Sequence, residues 1–131
     1  PFLAMQAALK VGGLNPSDIS YLNVHGTATV NNDLAEGIGM RRLFGEDWPL
    51  FSSTKPFTGH LLGASGSVES VYSILSILND TAWANLNFST PMKELDKSPV
   101  ARTRSDAGIR HVMTNSFGFG GNNTSLIFSA L

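Results

Sequence analysis

The segment ISYLNVHG, residues 19–26, decides the fold that we expect for this chain. Residues 19–24 combine apolar and β-forming side chains, which predicts a short buried strand. The strand runs directly into His25 and Gly26, so a histidine stands where a strand ends and a loop begins. In open α/β sheets, ligands bind at this end of the strands. The segment therefore predicts a sheet strand and places a candidate functional residue at its end.

The flanking sequence predicts helices that alternate with strands. Helices are expected over residues 2–11, 32–44 and 61–79, with Asn31 or Asn32 as the N-cap of the second. Strands are expected over 19–24, 50–53, 111–117 and 124–131, with a short extended piece at 84–88 and a glycine hinge between the last two strands. This order predicts a layered α/β domain that covers residues 1–131, with helices on a mixed, mostly parallel sheet.

The second predicted helix carries two acids in line with its apolar face. At helical spacing, one face holds Asp33, Glu36, Gly37, Met40, Leu43 and Phe44. As an alternative, acids in the first turn of a helix stabilise the helix through its dipole and need no chemical role. The shared face favours an inward-pointing Glu36.

The third predicted helix is apolar almost all round, which predicts that it is buried on most sides. Glu69 is the only charged residue in it. A carboxylate in such a helix is costly unless it is paired, hydrogen-bonded or bound to a cation. We therefore interpret Glu69 as a functional or network residue.

The composition excludes several classes of protein. The 131 residues have a net charge of −1, which predicts no attraction to nucleic acid or to an anionic membrane. There is no cysteine, which excludes disulfides and thiolate metal sites and leaves no thiol nucleophile. The cytoplasm is the default expectation for such a chain.

A second motif, STKPFTGHLLGASG at residues 53–66, supplies another histidine and a lysine. His60 stands before the third predicted helix, where a neutral imidazole can donate an N–H to a developing oxyanion. A capping histidine without chemistry is the alternative. Lys55, taken alone, is better interpreted as a surface lysine, but beside histidines its charge would keep them neutral.

The glycine-rich segment NSFGFGG, residues 115–121, is a third motif. Its spacing differs from that of a phosphate-binding loop, and no helix follows it. Glycines on both sides of Phe119 allow the loop to swing this ring or to aim a backbone N–H at an oxyanion. A plain β-turn is the alternative.

The three motifs, in this order and at these intervals, resemble the C-terminal half of β-ketoacyl-acyl-carrier-protein synthases. These condensing enzymes have the thiolase-like fold, and the resemblance is closest to the elongating enzymes of fatty acid and polyketide type. The resemblance implies a decarboxylative Claisen condensation of malonyl-carrier protein with an acyl-thioester enzyme. It implies no cofactor.

The resemblance also implies roles for particular residues. His25 and His60 would be the two catalytic histidines, which stabilise the enolate, and Lys55 the active-site lysine. Glu69, Asp33 and Glu36 would be supporting acids, and Phe119 the gating phenylalanine. In some members a monovalent cation binds near the positions of Asn23, Glu36, Glu69 and Asn115.

The partners that the resemblance implies are acyl carrier protein, malonyl and acyl thioesters, and the N-terminal half of the synthase, which carries the cysteine nucleophile. The complete enzyme would be a homodimer. We expect this chain alone to be inactive. The alternative is a non-catalytic acyl-binding or chain-length-determining subunit, which usually lacks the catalytic histidines.

The resemblance further implies a strand before the first helix, at the centre of the sheet. Because this strand is not in the chain, we expect a gap between the strands at 19–24 and 111–117, which another chain could fill or which the two strands could close by coming together.

Overall fold

A computed structural model describes residues 1–131 as two layers of helices around a four-stranded sheet. The helices are α1 (Phe2–Gly12), α2 (Val30–Phe44), the short α3 (Lys55–Thr58) and α4 (Ser65–Leu78). The sheet strands are β1 (Tyr21–Asn23), β2 (Leu50–Ser52), β5 (His111–Phe117) and β6 (Asn123–Ser129). Two shorter strands, β3 (Thr81–Ala82) and β4 (Arg104–Ser105), form a separate antiparallel pair.

The strand order is β2-β1-β5-β6, and only β6 is antiparallel to its neighbour. The predicted mixed, mostly parallel sheet is therefore confirmed. The predicted gap is wrong, because β1 pairs directly with β5 from Tyr21↔Val112 to Asn23↔Thr114. Since β5 has a hydrogen-bonded neighbour on each side, a further strand could pair only at an outer edge.

One outer edge is already partly covered. Residues 85–100, here called the edge segment, run beside β2, and the Val100 amide donates to the Phe51 carbonyl at 2.9 Å. The Ser53 amide donates to the Asn85 side chain at 2.8 Å. The predicted extended piece at 84–88 is not a strand, because its hydrogen bonds go to loop and side-chain partners. The edge that remains open is β6.

Alternating side chains of the sheet divide the core between its two faces. On one face, Leu22 and Met113 pack with Met5 of α1 and Met40 of α2. On the other face, Tyr21 and Val112 pack with Ala82, Val100 and Ile109, and α4 lies against β5. The sheet thus holds α1 and α2 on one side and α4 on the other.

Helix α4 differs from its prediction. It begins at Ser65 rather than at Leu61, since residues 62–64 form a separate 3₁₀ turn. Its buried residues are Ser65, Glu69, Ser73 and Ser76, whereas Val71, Ile74, Leu75 and Leu78 are exposed. Val68, Tyr72 and Ile77 are partly buried, and Ile77 packs against the core. The expectation that α4 is buried on most sides is therefore wrong for this chain. The small side chains let its backbone lie close to the sheet, and the exposed apolar residues form its outer face.

Helix α2 begins two residues earlier than predicted. Thr29 is the N-cap residue, with extended backbone, and the Asp33 amide donates to its carbonyl at 3.0 Å. Asn31 and Asn32 lie inside the first turn. None of the helices is long and apolar enough to cross a membrane.

The central position of Met113 gives a first prediction. Its side chain is fully buried, so Met113→Ala should lower the free energy of unfolding by about 2–5 kcal/mol in urea denaturation. Met92→Ala, in the partly exposed edge segment, is the matched control and should lose less than half of that. Equal losses in the two variants would contradict the packing described here.

Candidate active site

Glu36 fixes the turn that carries His25. One carboxylate oxygen of Glu36 accepts the His25 amide at 2.9 Å, and the other accepts the Gly26 amide at 3.0 Å. The Asn115 side-chain amide donates to the same carboxylate at 2.9 Å. Glu36 is only 2% exposed, so the expected inward orientation is confirmed. Burial raises the pKa of its carboxyl, and the three N–H donors act in the opposite direction.

Lys55 lies at the centre of the site. Its ammonium group forms an ion pair with Glu69, donates to the His25 carbonyl at 2.5 Å, and lies 3.3 Å from His25 Nδ1. Lys55 and Glu69 are both buried. The interpretation of Lys55 as a surface lysine is therefore wrong, and the expected partner of Glu69 is identified. Burial raises the pKa of the Glu69 carboxyl, and the hydrogen bond and charge of Lys55 lower it.

His60 meets His25 across the site. The ring centroids of the two histidines lie 5.6 Å apart, with the rings at 87° to each other. His60 Nδ1 accepts the Leu62 amide at 3.1 Å and lies 3.0 Å from the Ser65 hydroxyl. The motifs at residues 25–29 and 53–66, far apart in sequence, thus meet at one place.

In both histidines the Nδ1 atom accepts a hydrogen bond, so the two rings have the same tautomer. An ammonium group only donates, so His25 Nδ1 accepts from Lys55 and the ring hydrogen is on Nε2. His60 Nδ1 accepts a backbone N–H, which again leaves the hydrogen on Nε2. Each histidine can therefore donate one Nε2–H to a substrate oxygen.

Burial is the main reason that His25 is neutral. Desolvation, followed by the charges of Lys55 and His60, lowers the pKa of His25 from 6.5 to about 4. At pH 7 the ring carries no charge. The expectation that a neighbouring lysine keeps this histidine neutral is confirmed, although burial contributes more.

The aromatic ring beside the histidines is Phe117. Its centroid lies 5.6 Å from that of His25, with the rings tilted by 59°. Phe119, at the tip of the β5–β6 loop, is fully exposed and does not cover the histidines in this structure. The sequence analysis missed Phe117, although its place at the carboxyl end of a strand parallel to β1 could have indicated it.

Asp33 is apart from this cluster. It is half-buried in the first turn of α2, accepts a hydrogen bond from the Asn32 side chain at 3.0 Å, and has no hydrogen bond to either histidine. It lines a separate cavity together with Glu36, so the predicted shared face of α2 is observed.

The side chains of the four residues considered for a monovalent cation all have protein partners in this structure. The Glu36 carboxylate binds protein N–H groups, and Glu69 binds Lys55. The Asn115 carbonyl oxygen accepts the Ser125 hydroxyl at 2.7 Å, and the Asn23 amide donates to Thr54 at 3.2 Å. No group of three or more acidic, histidine or cysteine side chains is placed to hold a metal.

Residues 2–89 match the family described as beta-ketoacyl synthase, C-terminal domain. The chain belongs to this family. It is 40% identical over 132 residues to 3-oxoacyl-[acyl-carrier-protein] synthase 2 of Vibrio harveyi, covering 98% of this chain and 32% of that protein. It is 43% identical over 127 residues to the protein of the same name from Staphylococcus aureus (strain COL), covering 95% of this chain and 31% of that protein.

Solved structures agree with this assignment. A beta-ketoacyl synthase from Burkholderia phymatum STM815 superposes with a TM-score of 0.89 at 36% identity, covering 97% of this chain and 31% of that one. The ishigamide ketosynthase/chain length factor gives a TM-score of 0.93 at 26% identity, covering 97% and 32%. The thiolase-like fold is thus confirmed. The chain spans about a third of the length of the curated relatives that it matches.

The proximity of Lys55 gives a second prediction, which NMR titration of the histidines can check. The double variant Lys55→Met/Glu69→Met removes both buried charges, and the pKa of His25 should rise from about 4 but stay below 6.5, because burial remains. Lys93→Met, in the exposed part of the edge segment, is the surface control and should leave this pKa unchanged.

The same pKa shift has a consequence for stability. The unfolded chain binds the proton of His25 at the ordinary value of 6.5, whereas the folded chain binds it only at about 4. The contribution of His25 to stability is therefore complete above pH 6.5 and falls as the pH drops toward 4.

For the second prediction, an unchanged pKa of His25 in the double variant Lys55→Met/Glu69→Met would contradict the contact between Lys55 and His25.

A third prediction concerns the turn held by Glu36. Glu36→Gln leaves one acceptor oxygen and places an N–H₂ group against a backbone donor, so the free energy of unfolding should fall by about 1–3 kcal/mol. The control is the exposed Glu94→Gln, which should change it by less than about 0.5 kcal/mol. Urea denaturation of both variants checks this, and equal stability in Glu36→Gln and the parent would show that the turn does not need the carboxylate.

Proposed function

We propose that this chain is the C-terminal half of a 3-oxoacyl-[acyl-carrier-protein] synthase and supplies its two histidines. The observation that carries the proposal is the convergence of His25, His60 and Lys55, with Nδ1 of both rings occupied by a donor and Nε2 left to donate. Two such N–H donors suit an oxygen that becomes negative during the reaction.

The reaction proposed for the complete enzyme is a decarboxylative condensation. The bond between the malonyl carboxylate and the α-carbon breaks, and CO₂ leaves. The electron pair of this bond stays with the α-carbon and forms the enolate of the thioester. His25 and His60 donate to the enolate oxygen. The α-carbon then attacks the acyl thioester of a cysteine, forming the new carbon–carbon bond and releasing the thiolate. One well-placed donor to such an oxyanion is worth about 10²–10³ in rate.

Lys55 would act on this step through His25. Its charge favours the neutral imidazole, and its hydrogen bond to the His25 carbonyl fixes the backbone that carries the ring. Phe119, at the tip of a loop in which Gly120 and Gly121 have φ of 83° and 88°, would gate access by moving toward the histidines.

The cysteine nucleophile would come from an N-terminal half of the synthase. The exposed face of α4 supports this part of the proposal, because Val71 and Leu78 are 55% and 73% exposed, and Ile74 and Leu75 extend the same face. Contiguous apolar surface of this kind marks an interaction site. The half that carries the cysteine would cover it, and this chain alone would not condense substrates.

The partners proposed for the complete enzyme are acyl carrier protein and a second copy of the synthase. One solved structure similar to this chain is a type II PKS acyl-carrier protein in complex with its ketosynthase bound to the hexaketide, with a TM-score of 0.90 at 27% identity. That complex supports a carrier protein as the partner that delivers the malonyl group here.

A second candidate function is that of a non-catalytic partner subunit. Solved relatives include a ketosynthase in complex with its chain length factor from Xenorhabdus doucetiae, with a TM-score of 0.82 at 39% identity. The paired His25, His60 and Lys55 favour the catalytic function, because a subunit that only measures chain length does not require two neutral donors.

Complementation tests the proposal and gives the fourth prediction. The chain is coexpressed with a polypeptide that holds the N-terminal two thirds of the Vibrio harveyi relative, and decarboxylation and condensation of malonyl-carrier protein are measured. His25→Ala and His60→Ala should each lower the decarboxylation rate by about 10²–10³. Lys93→Ala is the surface control and should have no effect.

Each outcome of this experiment decides between the candidates. Restored condensation that depends on both histidines supports the enzyme. A stable complex that binds acyl chains and never decarboxylates malonyl-carrier protein favours the partner subunit. Restored activity that is indifferent to both substitutions would falsify the assigned roles.

A further inference from the structure

A cavity of about 470 Å³ lies between α2, the ends of β1 and β2, and the edge segment, residues 85–100. This volume is within the range of about 300–1,000 Å³ that is typical of ligand pockets. Its wall includes Gly26 and Ala28 of the loop after His25, but not His25, His60 or Lys55. It is therefore separate from the histidine cluster.

The interior of the cavity is mostly apolar. The large side chains that line it are Met40, Trp48, Phe51, Phe88, Met92 and Leu95. Most polar residues of the wall lie in the edge segment, and two more, Asp33 and Glu36, lie in the N-terminal half of α2. An apolar ligand with one polar end fits this distribution.

The edge segment is a loop that is held at two places and lies over the cavity between them. Its first and last residues, Asn85 and Val100, are hydrogen-bonded to each other and to the β2 edge. Further along the loop, Leu95 packs against Gly37 of α2, and Arg41 donates to the Leu95 carbonyl. Residues 86–91 have no backbone hydrogen bond to α2 or to the sheet. The cover of the cavity can therefore adjust without loss of the fold.

Lys97 is the only cation in the wall. Its ammonium group lies 5.9 Å from the centre of the Trp48 ring and 3.4 Å from a carboxylate oxygen of Glu46, and it donates to the Glu46 carbonyl. The Glu46 side chain is 81% exposed, so this ion pair is weak and exchangeable. A ligand carboxylate at the apolar mouth can take the place of Glu46.

Two acids also line the cavity, and neither opposes a carboxylate at Lys97. The Glu36 oxygens are bound to protein N–H groups. Asp33 is in the first turn of α2, whereas Lys97 contacts Glu46, just beyond the last turn of this helix. At about 1.5 Å per residue, the two ends of this helix are about 20 Å apart.

From these contacts we propose that the cavity binds an unbranched alkyl carboxylate. The carboxylate pairs with Lys97, and the alkyl chain runs past Trp48 and Phe51 toward Gly26. This site is additional to the function proposed above and does not depend on it.

Tryptophan quenching by 11-bromoundecanoate, below its micelle concentration, tests the proposal on the 131-residue chain. The chain has two tryptophans, and Trp83 is outside the cavity, where it contacts Tyr72 of α4. Trp83→Phe therefore reports on Trp48, and Trp48→Phe reports on Trp83. We expect saturable quenching of Trp48 and little quenching of Trp83.

In the Trp83→Phe background, Lys97→Met should raise the Kd at least about tenfold, since a charge-assisted hydrogen bond is lost. Lys93→Met, in the same segment but outside the cavity, should leave the Kd unchanged. Lys97→Gln replaces Lys97→Met if circular dichroism shows that the latter is unfolded. Decanoate should displace the probe, and decylamine should not.

Three results would overturn the proposal. Preferential quenching of Trp83 would place the probe on the exposed face of α4. An unchanged Kd in the Lys97 variants would show that the carboxylate of the probe does not pair with Lys97. Displacement of the probe by decylamine in the parent chain but not in Asp33→Asn would show that the cavity binds an alkyl cation at Asp33 instead of a carboxylate at Lys97.

Discussion

The buried ion pair between Lys55 and Glu69 is the constraint on which the site depends. Two buried charges are costly to desolvate, and removing either one leaves the other uncompensated, at a cost of about 3–5 kcal/mol. The pair persists because the Lys55 ammonium group also donates to the His25 carbonyl. It therefore joins α3, α4 and the end of β1, and it places a positive charge beside an imidazole that has to remain neutral.

The orientation of α4, with small polar residues facing the sheet and apolar residues exposed, follows from the same ion pair. The helix turns Glu69 and three serines toward the sheet, because Glu69 has to reach Lys55 and small residues allow the close approach. Four of its apolar residues, Val71, Ile74, Leu75 and Leu78, consequently face outward and form an exposed apolar surface. The carboxylate that pairs with Lys55 and the exposed apolar residues thus lie on opposite sides of one helix.

Much of this arrangement was predictable from the sequence. The strand that ends at His25, the inward orientation of Glu36 and the need of Glu69 for a partner all followed from local pattern and burial arguments. The direct pairing of β1 with β5 did not, because residues about ninety positions apart leave no local signal for strand order. The exposure of the apolar residues of α4 was not predictable, because a nearly all-apolar pattern does not show which side of a helix faces the core.

The tautomers of His25 and His60 test the central claim most directly. Long-range ¹H–¹⁵N correlation spectra of the folded chain at pH 7 distinguish a ring hydrogen on Nε2 from one on Nδ1. We predict the Nε2–H form for both histidines, since Lys55 and the Leu62 amide each occupy an Nδ1 acceptor. A His25 that carries its hydrogen on Nδ1, or that is doubly protonated at this pH, would contradict the account.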